Sequence, residues 1–442
     1  MTPWLYKWWA VCLLTLLPAV AAWSEDWPQW RGPHRDGSLS SAAAPAAWPE
    51  RLKLKWKLTV GEGHASPILA GGRIFIFTRQ QGKETASSID PTTGRIVWQQ
   101  SYAAPYTMNP AASWHGEGPK STPLFSEGKL YTFGISGILT CWDTATGAVK
   151  WRKNFSKQYR ATWPLFGTAM SPVADRGLLI AHVGGPDDGA LTAFDAQTGQ
   201  EKWRWTGDGP AYASPIIADL SGVRQLVTET QQNLVSVAAA TGQLLWRIPF
   251  TTDYIQNIPT PLLYRDLVIF SGLANGIFAI RATAKDGKWS TESVWRNDGV
   301  ALYMSSPVLS GDLIFGFSHY KKGAFFCIDA RTGATQWTSL PRQGENAAVL
   351  VSGGNLILLR DEGELIIAKV TGKAFEPLRH YTVALGASAG AHKWRGDQGQ
   401  NDPGIVGRGV TLRSNRGVTA WSNYDKICFS SCSNLSRSAS SL

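Results

Sequence analysis

The chain has 442 residues, 43% of them hydrophobic and 17% charged, with a formal net charge of +10 at pH 7. Much of the excess lies at the ends: residues 385–442 hold seven Lys and Arg against three Asp, whereas residues 23–384 hold 35 basic against 30 acidic residues. Because no basic run remains in the central chain, we expect no nucleic-acid partner.

The first 22 residues are typical of a secretory signal peptide. One charge, Lys7, precedes an apolar run from Trp8 to Leu17, and small residues lead to a cleavage site expected near Ala22. The alternative is a membrane anchor, but this needs about 20 apolar residues and Pro18 ends the run early. No later segment is apolar enough to span a bilayer, so we expect a periplasmic or secreted protein.

Residues 23–53 precede the repeats and are predicted to be an extended segment and a linker. Their distinctive part reads Asp26-Trp27-Pro28-Gln29-Trp30-Arg31-Gly32-Pro33-His34-Arg35-Asp36-Gly37. Two tryptophans, two prolines and two glycines indicate a rigid, extended piece laid over apolar surface. An Ala, Pro and Ser linker follows at 39–49, and residues 54–58 then form a strand that carries a tryptophan.

Residues 54–384 repeat one short pattern: an apolar strand that ends at Asp, a Thr-Gly turn, and a returning strand that carries a tryptophan. The clearest copy runs from Phe194 to Trp203. Since the carboxylate can accept N–H groups of the turn and the glycine supplies the positive φ, each copy predicts a β-hairpin. The tryptophans recur every 42 to 53 residues, at Trp56, Trp98, Trp151, Trp203, Trp246, Trp295 and Trp337.

A second marker, Ser-Pro or Thr-Pro, stands 29 to 35 residues before the next tryptophan of the series. Apolar strands joined by Gly-x turns lie between the markers. Each period therefore holds about four short strands, which is the content of one propeller blade. We expect each tryptophan to be a structural docking residue that wedges between neighbouring sheets. A β-sandwich with accidental tryptophan spacing is the alternative fold.

Seven blades are recognisable in this pattern, at 65–98, 121–151, 170–203, 213–246, 259–295, 305–337 and 346–376. An eighth would combine Trp56 with residues after 376 and so close the ring. Residues 385–442 break the pattern with a composition rich in Gly, Ser and Arg. We therefore predict an all-β propeller of four-stranded blades over 54–384, of the eight-bladed type with an incomplete eighth blade, and then an aberrant or disordered tail.

The repeats resemble those of the PQQ-like β-propeller family, which includes quinoprotein alcohol dehydrogenases and the lipoprotein scaffold of the outer-membrane β-barrel assembly machinery. Residues 26–37 are similar to a segment of secreted members from planctomycete-type bacteria, and residues 279–295 resemble the divergent blade of that subgroup. The resemblance covers roughly residues 26–383 and implies an eight-bladed propeller. It implies no single activity, because propellers host many functions.

A quinone-dependent alcohol dehydrogenase, with PQQ and Ca²⁺ as cofactors, is the alternative function that the resemblance opens. That chemistry needs a flat quinone pocket, oxygen ligands for calcium and a catalytic Asp. The sequence contains no adjacent cysteines and no dense cluster of Asp, Glu and Asn at a blade start, although a site could assemble from separate blades. We expect no metal, no cofactor and no catalytic residue.

The loops before each Ser-Pro or Thr-Pro lead into an innermost strand and should rim one mouth of the central channel. Two are long, spanning 24 residues from Trp98 to Thr122 and 20 from Trp151 to Ser171. Their aromatic residues indicate a recognition surface, unless they only pack the insertions onto the ring. The predicted binding residues are His64, Tyr106, Trp114, His115, Glu117, Arg160, Trp163, Tyr212, Asn257 and Tyr303.

These observations predict an exported, non-catalytic scaffold. It would bind a protein or a cell-envelope ligand at the mouth formed by the loops 99–121 and 152–170. The sequence indicates no membrane span and no particular oligomeric state.

Overall fold

The computed structural model describes residues 25–39 and 47–383, together with two short strands at 418–421 and 428–431. The predicted signal peptide, with its cleavage site near Ala22, and most of the predicted tail lie outside these residues. For Ala111, Ser113, Trp114 and the two short strands, only the backbone is described. Within the described ranges, no helix combines the length and the apolar character needed to cross a bilayer.

The described residues form eight β-sheets, and seven of these contain four consecutive antiparallel strands. Two strands come first, β1 (Ser38–Leu39) and β2 (Leu54–Leu58). Sheets 1 to 4 then follow, four strands each: β3 (Ile68–Ala70), β4 (Arg73–Gln80), β5 (Lys83–Ile89), β6 (Ile96–Ala103); β7 (Leu124–Ser126), β8 (Lys129–Phe133), β9 (Leu139–Asp143), β10 (Val149–Lys153); β11 (Val173–Asp175), β12 (Leu178–Val183), β13 (Ala190–Asp195), β14 (Glu201–Trp205); β15 (Ile216–Leu220), β16 (Val223–Glu229), β17 (Asn233–Ala238), β18 (Leu244–Pro249).

Sheets 5 to 8 complete the architecture. Sheet 7 also takes in β1, and sheet 8 is built from β2 and the last two strands. Short 3-10 turns lie at Pro110–His115, Asp253–Ile255 and Tyr320–Lys322. Sheet 5 contains β19 (Leu262–Tyr264), β20 (Leu267–Ser271), β21 (Ile277–Lys285) and β22 (Lys288–Asn297), and sheet 6 contains β23 (Val308–Ser310), β24 (Leu313–Ser318), β25 (Ala324–Asp329) and β26 (Thr335–Thr338). Sheet 7 contains β27 (Ala347–Ser352), β28 (Asn355–Arg360), β29 (Glu364–Lys369) and β30 (Pro377–Thr382). The last two strands are β31 (Val418–Trp421) and β32 (Cys428–Ser431).

The repeated turn has the chemistry that its sequence predicts. Asp195 Oδ1 accepts the N–H groups of Gln197 at 3.0 Å and Thr198 at 2.9 Å. Gly199 takes a φ of 71°, and its N–H returns to the carbonyl of Asp195 at 2.8 Å. Since this conformation strains any residue with a Cβ, glycine ends each copy of the turn. Related turns follow Asp90, Asp143 and Asp329.

The indoles of the repeat reach from one sheet to the next. Trp98 Nε1 donates to the carbonyl of Thr144 at 2.8 Å, and Gly147 lies directly against the ring. Trp56, Trp151, Trp203, Trp295 and Trp337 likewise donate to carbonyls of the following sheet. Trp246 differs: it packs between sheets 4 and 5, but its N–H stays in sheet 4, on Gln225 Oε1 at 2.8 Å. The long β21–β22 hairpin lacks the turn that would offer a carbonyl.

Neighbouring sheets share apolar cores. Between sheets 3 and 4, for example, Ile180 and Leu191 pack with Leu226 and Val235, all fully buried. Similar clusters join each consecutive pair from sheet 1 to sheet 7. The first strands of several neighbouring sheets also approach one another. This succession of radial, four-stranded sheets is a β-propeller, as predicted, and the number of blades in the ring stays a prediction.

The boundary between the last two sheets differs from the predicted one. Residues 377–382 form β30, the fourth strand of sheet 7, and do not contribute to an eighth blade. Sheet 7 closes with a longer loop before β30 than the other blades have before their tryptophan strands, and this hides the strand in the sequence. The eighth sheet instead pairs β2 with β31, and β31 with β32, so it draws on residues within the predicted tail.

The N-terminal segment turns back on itself, whereas the sequence predicts an extended piece. Residues 30–35 form consecutive turns, with positive φ at Arg31, Gly32 and Arg35. The physical reason is that two arginines anchor the segment. Their side chains are buried against backbone carbonyls of the sheets, and apolar contact alone does not hold the segment in place. Beyond the turns, β1 runs parallel to β27 of sheet 7.

Antiparallel order sorts the connections to two ends of the channel. The Asp-x-x-Thr-Gly turns lie at one end, which we call the turn face. The loops that lead into the innermost strands lie at the other end, which we call the loop mouth. The two insertions predicted from the sequence therefore belong to the loop mouth.

Candidate functional site

The two insertions pack against each other over the loop mouth. The first joins β6 to β7 and contains the 3-10 turn at Pro110–His115; the second joins β10 to β11. The ring centroids of Tyr106 and Trp163 lie 5.2 Å apart, and those of His115 and Phe166 lie 6.2 Å apart. Aromatic pairs at these distances hold the two loops as one surface.

Beneath the insertions lies a layer of basic side chains. His64 Nε2 contacts the carbonyl of His115 at 2.7 Å, so this nitrogen carries the proton. Lys120 Nζ donates to the carbonyl of Phe166 at 2.5 Å. Burial, and after it the charge of Lys120, lowers the pKa of His115 to about 3, and burial lowers the pKa of His64 to about 4. Burial alone lowers the pKa of Lys120 to about 8. Both imidazoles are therefore neutral at pH 7.

Three tyrosines from different loops converge beside this layer. The hydroxyl of Tyr212 accepts the N–H of Phe166 at 3.2 Å, and the two rings lie 5.9 Å apart. Burial raises the pKa of Tyr212, and the hydroxyls of Tyr106 and Tyr303 act in the same direction. Burial also raises the pKa of Tyr106 and that of Tyr303 to about 12 each. All three phenols stay protonated at pH 7 and can donate hydrogen bonds.

Glu117 lies at the rim of the mouth. Its carboxylate is 3.7 Å from the guanidinium of Arg79, which also donates to the carbonyl of Ala104 at 3.0 Å. The side chain of Glu117 is 45% exposed. The arginine of this pair is buried, with 8% of its side chain exposed, whereas the carboxylate reaches water. Glu117 is thus accessible to a partner at the rim.

An open groove of about 380 Å³ runs between the two insertions, lined by residues 107–110, 163–165 and Pro186. Its wall carries Trp163, which is partly exposed, and Leu165, which is 39% exposed. Partly exposed apolar side chains that line a groove are typical of protein-binding surfaces. The groove is therefore the part of the mouth best suited to contact another molecule.

Two of the predicted binding residues, Asn257 and Arg160, stand apart from this surface. Asn257 is fully buried, and its amide donates to the carbonyls of Thr230 at 2.8 Å and Phe250 at 3.1 Å. Arg160 points outward with its side chain 80% exposed, 3.5 Å from Asp187. Trp114 lies on the 3-10 turn of the first insertion, and its side chain is outside the described part.

The sequence does not single out Lys120, because a lone lysine is most often a solvated surface residue. Its position does carry a signal: it precedes Ser121-Thr122-Pro123, so it lies where the first insertion enters an innermost strand. A charge at that point must face the channel. Leu165, at the tip of the second insertion, is equally unmarked in the sequence.

Carboxylates near the mouth belong to different sheets. Glu84 of sheet 1 is buried and accepts hydrogen bonds from the Tyr102 hydroxyl and the Ile135 N–H, each at 2.6 Å. Glu229 of sheet 4 is buried too, and burial raises the pKa of both carboxyl groups. Among the residues whose placement is described, no group of three or more His, Cys, Asp or Glu could hold a metal ion.

A family model described as outer membrane protein assembly factor BamB matches residues 82–339. Outer membrane protein assembly factor BamB of Shewanella oneidensis is 24% identical over 279 residues, which cover 58% of this chain and 67% of that protein. Quinohemoprotein alcohol dehydrogenase of Comamonas testosteroni is 25% identical over 194 residues. That match covers 42% of this chain and 26% of the dehydrogenase, so the chain matches about a quarter of its length.

The crystal structure of the Comamonas testosteroni dehydrogenase superimposes with a TM-score of 0.59 at 15% identity, covering 82% of this chain and 74% of that one. At this identity the likeness establishes the propeller fold alone.

Proposed function

The chain belongs to the family described as outer membrane protein assembly factor BamB, as its resemblance to PQQ-like propellers predicts, and from this premise we propose that it is an exported, non-catalytic scaffold. It binds a protein partner through the groove between its two insertions. The observation that carries the proposal is that groove, with Trp163 and Leu165 partly exposed on loops fixed by a rigid ring. A cell-envelope ligand is the other occupant that the surface could take.

The groove is backed by side chains that the protein itself already uses. His64, Lys120 and Tyr212 each bond to the backbone of an insertion, so they hold the loops in one arrangement. A recognition surface held in its bound shape avoids the entropy cost of ordering loops on binding. The polar side chains are thus used to hold the insertions, and the groove itself is lined by apolar side chains. This arrangement favours binding over proton-transfer chemistry.

The nature of the partner follows from the family. The related proteins are named as factors in outer membrane protein assembly. A partner that is itself a protein of the cell envelope agrees with the signal-like N-terminus, and the two together support an action of this chain in the periplasm or outside the cell. An extended segment of such a partner fits an open groove lined by two loops.

Quinone-dependent alcohol oxidation is the second candidate, favoured by the similarity to quinohemoprotein alcohol dehydrogenases. PQQ with calcium requires several oxygen ligands converging on one point. The donor set near the mouth does not match: Glu84 and Glu229 lie in different sheets, Glu84 is already bonded, and the amide of Asn257 is used by the backbone. Alcohol-dependent dye reduction after addition of PQQ and Ca²⁺ would overturn the scaffold proposal.

The test uses two leucines in equivalent loops. Leu165 lies in the second insertion, and Leu340, 79% exposed, lies in the loop between sheets 6 and 7. A photo-crosslinking amino acid is placed at 165 or at 340 in the full chain, in cells of the source organism, and the products are identified by mass spectrometry. We expect position 165 to crosslink to one defined protein, and we expect position 340 not to crosslink to that protein.

The same adduct must then respond to the surface. In cells carrying the Trp163→Ala change, the yield at position 165 should fall at least tenfold, while the melting temperature of the purified chain falls only slightly, through loss of the Tyr106–Trp163 pair. Equal adducts from both positions would contradict a specific groove. A large loss of stability in Trp163→Ala would instead assign the aromatic residues to packing.

A further inference from the structure

The inner edges of sheets 1 to 7 face the channel, and their unpaired backbone groups have to be satisfied there. The Ser-Pro and Thr-Pro markers lie on this edge. Proline has no N–H, so at each marker one donor is absent and only the carbonyls remain. The marker sequence therefore removes hydrogen-bond donors from the channel wall.

The backbone N–H groups next to these prolines are already hydrogen-bonded to the neighbouring sheet. At most of the markers, the backbone N–H of the Ser or Thr donates to the hydroxyl of the marker in the following sheet. These bonds run from Ser66 to Thr122 at 3.1 Å, Thr122 to Ser171 at 2.9 Å, Ser171 to Ser214 at 2.9 Å and Thr260 to Ser306 at 3.0 Å. What is left facing the channel is a set of carbonyl oxygens. Such a wall suits a group that only donates, and guanidinium has five donors and no acceptor.

Two guanidinium groups fill this wall from the turn face. Arg35 donates from Nε to the carbonyl of Pro215 at 2.7 Å, and from its two terminal nitrogens to the carbonyls of Pro172 at 3.0 Å and Ser171 at 2.9 Å. Arg31 donates to the carbonyls of Ser306, at 3.0 Å, and Pro307. Both side chains are more than nine-tenths buried.

Both arginines remain charged at neutral pH. Burial lowers the pKa of Arg31 to about 10 and that of Arg35 to about 9, both above pH 7. All eight of their hydrogen bonds in the described structure go to uncharged oxygens, seven of them backbone carbonyls. The charge is thus stabilised by aligned peptide dipoles. Lysine, with a single point of attachment, could not span these carbonyls.

The rest of the segment bonds to the other inner edges. Trp27 exchanges backbone hydrogen bonds with Leu69 of sheet 1, and the carbonyl of Pro28 accepts the N–H of Phe125 of sheet 2 at 2.7 Å. Trp30 Nε1 donates to Thr260, before sheet 5, at 2.7 Å, and β1 pairs with β27 of sheet 7. Residues 26–39 therefore contact seven sheets through inner edges, in the way that an added strand or a bound peptide would.

We infer that the central channel is a peptide-binding site selective for paired arginines four residues apart, and that the chain's own residues 26–39 occupy it in cis. The site is separate from the groove between the insertions, and it opens at the other end of the channel. Its ligand class is a short peptide that carries two guanidinium groups.

The experiment cuts the segment from the ring without removing it. In the full chain, residues 40–46 are replaced by the recognition sequence of a site-specific protease, and the folded protein is cleaved. We expect the N-terminal fragment to stay with the propeller through gel filtration, with unchanged circular dichroism. A fluorescent peptide of residues 25–39 should then exchange in slowly. The matched peptide with Arg31→Lys and Arg35→Lys should compete at least 100-fold more weakly.

Three results would overturn the inference. If the carbonyl oxygens of the channel wall do not select guanidinium, the lysine peptide competes as well as the arginine peptide. If cleavage unfolds the ring, residues 26–39 are an integral part of the propeller and not a bound ligand. If cleavage releases the fragment at once from an intact ring, the channel does not bind it. Variants Arg31→Ala and Arg35→Ala, cleaved in the same way, should release the fragment; retention in both would also contradict the proposal.

Discussion

The two ends of the channel are built on opposite principles. At the turn face, residues 26–39 meet the inner edges of seven sheets, and both guanidinium groups donate to backbone carbonyls. At the loop mouth, two insertions leave Trp163 and Leu165 partly exposed. One end of the channel is closed because residues 26–39 bind the inner strands of the repeat. The other end is open because two insertions depart from the repeat. We expect a further molecule to bind at the insertions, where apolar side chains are still exposed.

The largest expected effect lies at the closed end. Arg35→Ala leaves three buried carbonyls without a donor, and we expect a loss of about 3–5 kcal/mol in the free energy of unfolding. Chemical denaturation measures it. Arg160→Ala, at a side chain that is 80% exposed, is the matched control and should change stability by less than about 0.5 kcal/mol. Similar losses in the two variants would erase the difference between the ends.

Asn257→Ala tests whether a residue of the mouth belongs to the framework. The buried amide supports Thr230 and Phe250, so its removal should cost about 2–3 kcal/mol and affect binding only through stability. Asn154→Ala, at an exposed position, is the control and should be near neutral. Unchanged thermal melting of Asn257→Ala would return this residue to the binding surface.

The pH dependence of stability probes the basic layer of the mouth. Burial lowers the pKa of His64 to about 4, below its ordinary value of 6.5. The unfolded chain therefore binds a proton that the folded chain refuses, so this contribution is complete above pH 6.5 and is lost as the pH falls toward 4. His64→Gln should remove about 2 kcal/mol of the stability difference between pH 7 and pH 5. If the free energy of unfolding changes by the same amount between pH 7 and pH 5 in the variant and in the original protein, the burial of His64 is contradicted.

The smallest effect on stability is expected at the groove. Leu340→Ser should change the free energy of unfolding by less than about 0.5 kcal/mol, because this side chain is 79% exposed. Leu165→Ser, at a side chain that is 39% exposed, should cost about 1 kcal/mol. Only Leu165→Ser should weaken capture of the partner identified by crosslinking. If Leu340→Ser weakens it equally, the binding surface extends beyond the insertions.

The sequence predicts the repeat well because the repeat is local chemistry. Asp195 and Gly199 make the turn from neighbours in the chain, and indoles at regular intervals report the period of the sheets. The role of Arg35 is not predictable in this way. Its partners lie 136 to 180 residues away, and only the closed ring brings their carbonyls together. The same holds for His64 and His115, which meet across an insertion.

The last strand of sheet 7 shows the limit from the other side. Residues 377–382 carry no tryptophan and follow an irregular loop, so the period gives no sign of them, although β30 pairs fully with β29. The repeated turn and its tryptophan mark only the strands that contain them. Strands that lack the repeat motif, such as β30 with its buried Tyr381, are recognised only in the folded chain.

Hydrogen exchange followed by mass spectrometry tests the contrast between the two ends most directly. In the full chain, amides of residues 26–37 should exchange as slowly as those of the inner strands, and amides of 105–117 should exchange quickly and become protected when the crosslinked partner is added. Fast exchange at 26–37, or protection there and not at the insertions on adding the partner, would contradict a channel closed at the turn face and open at the loop mouth.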